Sequence, residues 1–271
     1  MHTLRLVAAS FLAGLLFALG CESPSPGDST TETPGDGSPS GPAVVDSAIA
    51  AQGGATLDRA VVRFTFRGDR YRIRQDEGDF RFQRTTTDSL GRTVREVLSN
   101  DSLYRTVDGE RVELSDEERL ALETTVNSVS YFALLPHPLQ DPAVQASYDG
   151  RDTVGTEPYH RIRVTFQQEG GGEDWQDVFY YWFHTDTYAM DYLSYAFGLA
   201  PGEETGTRFR EAFNVRRVEG VRFADYHNYT DTTLAPDEMP RYPDLLEEDA
   251  LDLVSDVKID SVQVRPLRDP S

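Results

Sequence analysis

The sequence predicts a mainly β protein, an antiparallel meander interrupted by a few helices. Three observations predict it. Short runs between residues 60 and 83 alternate apolar and polar side chains and are separated by glycine turns. The run Asp177–His184, DVFYYWFH, is apolar or aromatic on both alternations, so its strand needs cover on both faces. Between these two regions lies one capped, mostly apolar helix.

The chain opens with a segment that stands apart from this fold. MHTLRLVAASFLAGLLFALG has one basic residue, Arg5, no acid, and an apolar run from Leu6 to Leu19. About fourteen apolar residues are too few to span roughly 30 Å of hydrocarbon but suit a secretory signal. Ala18 and Gly20 precede Cys21, the only cysteine of 271 residues. A lone thiol forms no internal disulfide and cannot by itself build a structural zinc site. The stretch resembles a bacterial lipobox, which implies cleavage before Cys21 and attachment of lipid to its sulfur. Residues 1–20 are then a lipoprotein signal, and Cys21 is a membrane anchor whose acyl chains contribute about 0.8 kcal/mol per buried methylene. From Glu22 to Pro42 every residue is Pro, Gly, Ser, Thr, Asp or Glu. Residues 21–42 therefore read as a disordered tether spanning roughly 25 Å r.m.s..

Residues 43–271 are expected to form one domain, with 42 acidic and 25 basic side chains. Net acidity of that size argues against nucleic acid or anionic lipid as a partner. Lys258 is the only lysine. High acidity with so little lysine suggests a salt-adapted or GC-rich proteome.

Within the domain, AVVDSAIAAQ (residues 43–52) has helical spacing at Val44, Ala48 and Ala51, and Gly53-Gly54 ends it. Strands follow: Val62, Phe64 and Phe66 alternate with arginine and threonine, Tyr71 and Ile73 with arginine, Phe80 and Phe82 with Arg81 and Gln83. Arg67-Gly68-Asp69, Glu77-Gly78-Asp79 and Ser89-Leu90-Gly91 are the turns. On the polar side, Arg63, Arg67, Arg70, Arg72, Arg74 and Arg81 are expected to pair with cross-strand Asp, Glu or Thr. An anion-binding surface is the functional alternative. Ser115-Asp116-Glu117-Glu118 is a capping box opening a helix to about Leu134, with Leu120, Thr124, Asn127 and Tyr131 on one stripe and Leu122, Val126, Val129 and Phe132 close by. Such a helix plugs one face of a sheet or covers a cavity. Pro136, Pro138 and Pro142 then impose an irregular segment. Further strands are expected at about 145–149, 158–167, 176–184, 188–197, 207–217, 221–229 and 257–264, with hairpin turns at Glu169–Asp174 and Val218-Glu219-Gly220.

The order of elements, from IAAQGG through EPYHRIRVTF and DVFYYWFHTDTYAMDYL to RRVEGVRFADYHNY, resembles the LolA-like and LolB-like periplasmic lipoprotein carriers. VNSVSYFALLPHPLQDPAV, EGGGEDWQDVFYYWFHTDTYAMDYLSYAF and RFREAFNVRR are similar to a lipoprotein family of unknown function common in marine Bacteroidetes-type bacteria. The carrier resemblance implies a curved antiparallel sheet or unclosed β-barrel, helices over its concave face, and an apolar cavity beneath them for acyl chains or another hydrophobic molecule. Tyr180, Trp182, Tyr192 and Phe132 are the residues expected to line that cavity. The polar tips of so many tyrosines and tryptophans favour a polar-edged ligand or a filled core.

No motif for a phosphate loop, nucleophile elbow or zinc protease occurs. His160 and His184 on neighbouring strands, joined by Asp186, Asp191 or Asp225, are a candidate metal set, and separate histidines tipping aromatic strands the commoner arrangement. Lys258, between Asp256 and Asp260, is poorly placed for Schiff-base chemistry. Acids around Gly170-Gly171-Gly172 lack EF-hand spacing and read as a solvated hairpin tip. Asp191, on an apolar strand face, is expected to meet an arginine or a tyrosine hydroxyl. No catalytic residue, metal ligand or cofactor is assigned. The expected function is a monomeric envelope lipoprotein, at the outer membrane in preference to the inner, that binds a hydrophobic or amphipathic ligand. A metal-dependent or hydrolytic envelope enzyme and a structural adaptor with a filled core are the alternatives.

Overall fold

The structure, a computed structural model, describes residues 37–169, 175–199 and 204–267. Cys21 and the glycines of the 170–174 turn lie outside them. Helix α1 (Gly41–Gln52) starts two residues before the expected position, because Ser40 Oγ caps it by accepting from Ala43 N, and Gly53 ends it in the left-handed conformation, φ 105°. A single turn, α2 (Gly54–Leu57), leads into the strands.

Two seven-stranded antiparallel sheets follow, not closed into a barrel. In the first, β1 (Arg59–Phe66), β2 (Asp69–Asp76), β3 (Asp79–Thr87), β4 (Thr93–Ser99), β5 (Leu103–Val107) and β6 (Glu110–Val112) form a meander. The β1–β2 and β2–β3 turns put two consecutive residues at positive φ, Arg67-Gly68 and Glu77-Gly78. That geometry matches the twist of the paired strands. Strands β4 to β6 go beyond the sequence reading, since Glu96 interrupts the apolar alternation of Val94 and Leu98 and β6 is only three residues long. Glu96, buried in β4, sits between Arg84 Nη1 (3.2 Å) and Arg105 Nη2 (2.8 Å).

Helix α3 (Asp116–Ala133) carries the expected capping box: Glu118 N donates to Ser115 Oγ (3.2 Å) and Ser115 N to Glu118 Oε2 (3.0 Å). Leu122, Val126, Val129 and Ala133 pack on the inner face of the first sheet, with Val62, Phe64, Tyr71, Ile73 and Phe82. Leu120, which the helical stripe places inside, is 43% exposed. The buried stripe is rotated because only side chains spaced from Leu122 meet the sheet.

The second sheet holds β7 (Val144–Val154), β8 (Glu157–Phe166), β9 (Val178–His184), β10 (Met190–Phe197), β11 (Gly206–Val218), β12 (Val221–Thr230) and β13 (Asp252–Val257). β9 is covered on both faces, as its aromatic run requires. Tyr181 and Phe183 pack on Val44, Val45, Ala48, Leu135 and Leu139. Tyr180 and Trp182 pack on Leu234, Met239 and Tyr242. That second cover, residues 234–251 with helix α4 (Tyr242–Glu247), goes beyond the sequence reading. Its anchor is Tyr242, stacked on Phe209 at 5.2 Å and hydrogen-bonded to Thr207 Oγ1 at 2.6 Å.

One expected strand, 257–264, is two. β13 closes the edge of the second sheet beside β12, and β14 (Asp260–Pro266) closes the first beside β1. Val257 is buried in one core and Ile259 in the other, so the chain must change sheets between them.

The cleft below helix α3

The C-terminal end of α3 builds the candidate site. Its last carbonyls have no helical partner. The Gln52 side chain, at the end of α1, donates to Leu134 O (3.0 Å) and Leu135 O (2.7 Å) and accepts from His137 N (3.1 Å). Pro136 and Pro138 prevent further helix, and His137–Gln140 makes one 3-10 turn. His137 is 2% exposed, and its Nε2 lies 2.9 Å from Asp58 Oδ1. Gln52, His137 and Asp58 thereby tie α1 and α2 to the proline segment.

Between this segment, α3 and the ends of β1 to β3 lies a cleft of about 740 Å³. Phe80, Phe82, Leu134, Pro138 and Pro142 supply apolar lining, and Asn127, Ser130, Tyr131, His137 and Gln140 supply polar groups. Four carboxylates, Asp58, Glu77, Asp79 and Asp141, line it against one guanidinium, Arg59, which Asp76 (3.2 Å) and Glu77 (3.7 Å) already engage. Tyr131 Oη and Asp141 Oδ2 are buried and lack a hydrogen-bond partner. Burial pushes both groups toward their neutral forms: it raises the Tyr131 hydroxyl, with Asp141 adding to it, and it raises the Asp141 carboxyl against a hydrogen bond from Ala143 N. The cleft thus combines an apolar wall with acidic side chains and two buried, unpartnered oxygens behind it.

Burial also lowers the His137 pKa, more than Asp58 raises it. The unfolded chain, with histidine near 6.5, then binds more protons than the folded chain at mildly acid pH. Stability from this group is present above 6.5 and falls as pH drops from 6.5 toward the lowered folded value. Urea midpoints at pH 7.5 and 5.5 should differ less in His137→Gln than in the unmodified chain.

The residues expected to line a cavity do not converge here. Trp182 is fully buried, its Nε1 donating to Asp152 Oδ2 at 2.9 Å. Tyr180 and Tyr192 share its core, beneath residues 234–251. Phe132 lies on the opposite side of the second sheet, edge-on to Phe66 at 5.2 Å and under the Arg210 guanidinium at 5.4 Å. None of the four lines the cleft. Asp191 meets both expected partners, Arg222 Nη2 at 2.6 Å and Tyr159 Oη at 3.2 Å. The candidate metal set is dispersed. His184 faces Glu157 (3.1 Å), His160 stacks on Tyr188 (5.9 Å), and Asp225 is held by Arg216 (3.2 Å). Among the described residues no three His, Cys, Asp or Glu side chains are grouped to hold a metal. Sequence reasoning missed Asp58, Tyr131, His137, Gln140 and Asp141 as a set. The one local signal was a histidine between two prolines directly after a helix.

Over residues 53–259 the sequence matches DUF6503, a family of unknown function. The chain belongs to the DUF6503 family. No curated protein matches it. Among solved structures, this DUF6503 chain is similar to a LolA superfamily protein from Nitrosomonas europaea, at 9% identity and TM-score 0.45, over 86% of this chain and 96% of that one. It is also similar to a DUF1329 family protein from Desulfovibrio piger, at 9% identity and TM-score 0.39, over 82% and 92%. A third is the lipoprotein LppX from Mycobacterium tuberculosis, at 15% identity and TM-score 0.27, over 58% and 89%. None of these is similar enough to lend this DUF6503 chain a site. No helix among its described residues is long and apolar enough to cross a membrane.

Proposed function

We propose that this DUF6503 chain is an envelope lipoprotein whose cleft below α3 holds a hydrophobic or amphipathic small molecule. In this reading residues 1–20 are the signal, 21–42 the tether with Cys21 as lipid anchor at the outer membrane, and 43–271 the binding domain. One observation carries the ligand: a cleft of about 740 Å³ with an aromatic wall and two buried oxygens, Tyr131 Oη and Asp141 Oδ2, lacking partners. That volume lies within the usual range for small-molecule sites, roughly 300–1,000 Å³. With four carboxylates on the lining, the polar end of the ligand is a hydrogen-bond donor, neutral or cationic. A carboxylate or phosphate end would be repelled.

A displacement assay with an environment-sensitive apolar dye tests this. Dodecylamine is expected to displace the dye at least tenfold more effectively than dodecanoate, with dodecanol between them, and Asp141→Ala to narrow that spread. If none of the three displaces dye, the cleft is not a ligand site. The adaptor reading would then take its place, favoured by the complete burial of Tyr181, Trp182 and Phe183. The anchor is tested separately, by intact mass of the exported protein. A thioether-linked diacylglycerol on Cys21 supports it, and an unmodified sulfur refutes it.

A further inference from the structure

The outer face of the first sheet, opposite α3, carries arginines in an arrangement that folding alone does not favour. Residues in register across antiparallel strands project from the same face. Arg63 lies directly opposite Arg72, and Arg74 opposite Arg81. Arg70 and Arg95 flank Thr85, Arg111 and Arg95 flank Thr106, and Arg265 lies opposite Val61. Of the expected cross-strand partners, Asp, Glu or Thr, register supplies only threonine here: Arg70 lies opposite Thr65 and Thr85, and Arg95 opposite Thr85 and Thr106. Arg74 reaches Asp76 two residues along its own strand, and Asp76 also takes Arg59 from β1. Arg81 instead donates to Tyr104 Oη (2.6 Å), and Arg111 lies over the Tyr104 ring at 4.2 Å. Among the described residues, no carboxylate forms an ion pair with Arg63, Arg70, Arg72, Arg95 or Arg111. Like charges directly opposite each other destabilise a sheet. Burial, followed by the repulsion of Arg63, Arg81 and Arg74, lowers the Arg72 pKa. In a chain of net charge −20, acids to neutralise these positions are abundant elsewhere. A local arrangement that costs stability without structural return marks a functional surface.

We propose that this face docks the protein flat on a bilayer rich in anionic lipid, its guanidinium groups bonding to headgroup phosphates. The arginine fork matches phosphate geometry. The array runs from β14 to β6, seven strands, or about 29 Å at roughly 4.8 Å per strand. It spreads over a plane and does not converge on a pocket, which suits a plane of headgroups better than one small anion. The remaining acidic surface is repelled by the same headgroups, so the field turns this face toward them. Net charge, which argues against anionic lipid for the chain as a whole, conceals this segregation. The proposal draws on the Cys21 anchor only to place a bilayer within reach, and it does not use the cleft.

The test uses the processed chain, residues 21–271, carrying Cys21→Ser so that no acyl chain contributes. Co-sedimentation is measured with vesicles of phosphatidylcholine and phosphatidylglycerol, 3:1 (about 25% anionic lipid, a moderate surface charge), and with phosphatidylcholine alone. Binding is expected to the anionic vesicles only, to weaken at least tenfold on raising salt from about 50 to 300 mM, and to weaken at least tenfold in Arg63→Gln/Arg72→Gln/Arg95→Gln. Arg119→Gln, an exposed position on α3, removes a charge elsewhere and should change binding less than twofold. Circular dichroism should show the triple variant folded and melting no lower than its parent, since the Arg63–Arg72 repulsion is gone. Equal binding by triple variant and parent, or no binding to anionic vesicles, overturns the proposal. Capture on heparin without vesicle binding also overturns it and assigns the face to a soluble polyanion. An unmodified Cys21 in native material would refute the anchor alone, because this chain is tested without it.

Discussion

Asp225→Ala is expected to remove about 3–5 kcal/mol of stability, the cost of breaking a buried ion pair from one side. Asp225 is 3% exposed and takes three donors: Asn214 Nδ2 at 2.6 Å, Arg216 Nη1 at 3.2 Å and Ile259 N at 3.1 Å. A β-bulge between Phe213 and Arg216, with Asn214 in the left-handed region at φ 47°, aims the first two at it. Ile259 lies on the link where the chain leaves β13 for β14, and Arg216 Nη2 also donates to Ile259 O. One carboxylate therefore pins the crossing between the two sheets. Alanine would strand an amide and a backbone N–H and leave the Arg216 guanidinium with backbone acceptors but no counter-charge. Asp225→Asn keeps the volume and one acceptor, and should cost about 1–3 kcal/mol. Urea denaturation measures both. An alanine variant within 1 kcal/mol of the parent would mean that packing of Ile259 alone holds the crossing.

Trp182→Ala is expected to cost a similar amount, about 3–5 kcal/mol, through a different mechanism. The indole is edge-on to Phe209 at 5.7 Å and tilted against Tyr180 at 6.4 Å, with no exposed surface. Its removal opens a cavity under residues 234–251 and leaves Asp152 Oδ2 to Arg161 at 2.8 Å, with Thr153 N still donating to Oδ1 at 3.0 Å. Trp182→Phe separates a structural role from ligand contact. It should lower the urea midpoint while dodecylamine displaces dye from the cleft as it does in the parent, because Trp182 is absent from the cleft lining. Weaker displacement with an unchanged midpoint would instead place the ligand beside Trp182.

The two halves of the molecule were unequally legible. Helix α3 could be read from four residues, Ser115 to Glu118, because a capping box closes within one turn. Arg67-Gly68 and Glu77-Gly78 located two hairpins because positive φ is a local demand. β9 announced cover on both faces through its own side chains, and it has that cover. What covers one face, Leu234 to Leu251, could not be read, since its short helices have little periodicity and owe their shape to docking of Tyr242. Strands β4 to β6 escaped because Glu96, in the middle of β4, looks like a surface residue until Arg84 and Arg105 close on it.

Sequence alone determined the local geometry: turns, caps, strand alternation, the greasy strand and the pattern around Cys21. Each depends on interactions within a few residues. Tertiary structure decided the split of the last strand between two sheets, the cleft and the arginine face. His137 and Asp58 are 79 residues apart in the chain, and Arg63 faces Arg72 only through strand register. Charge balance and periodicity average over such pairings. Contact between distant residues is set by how sheets and helices pack, and that packing is where the chemistry of this protein is assembled.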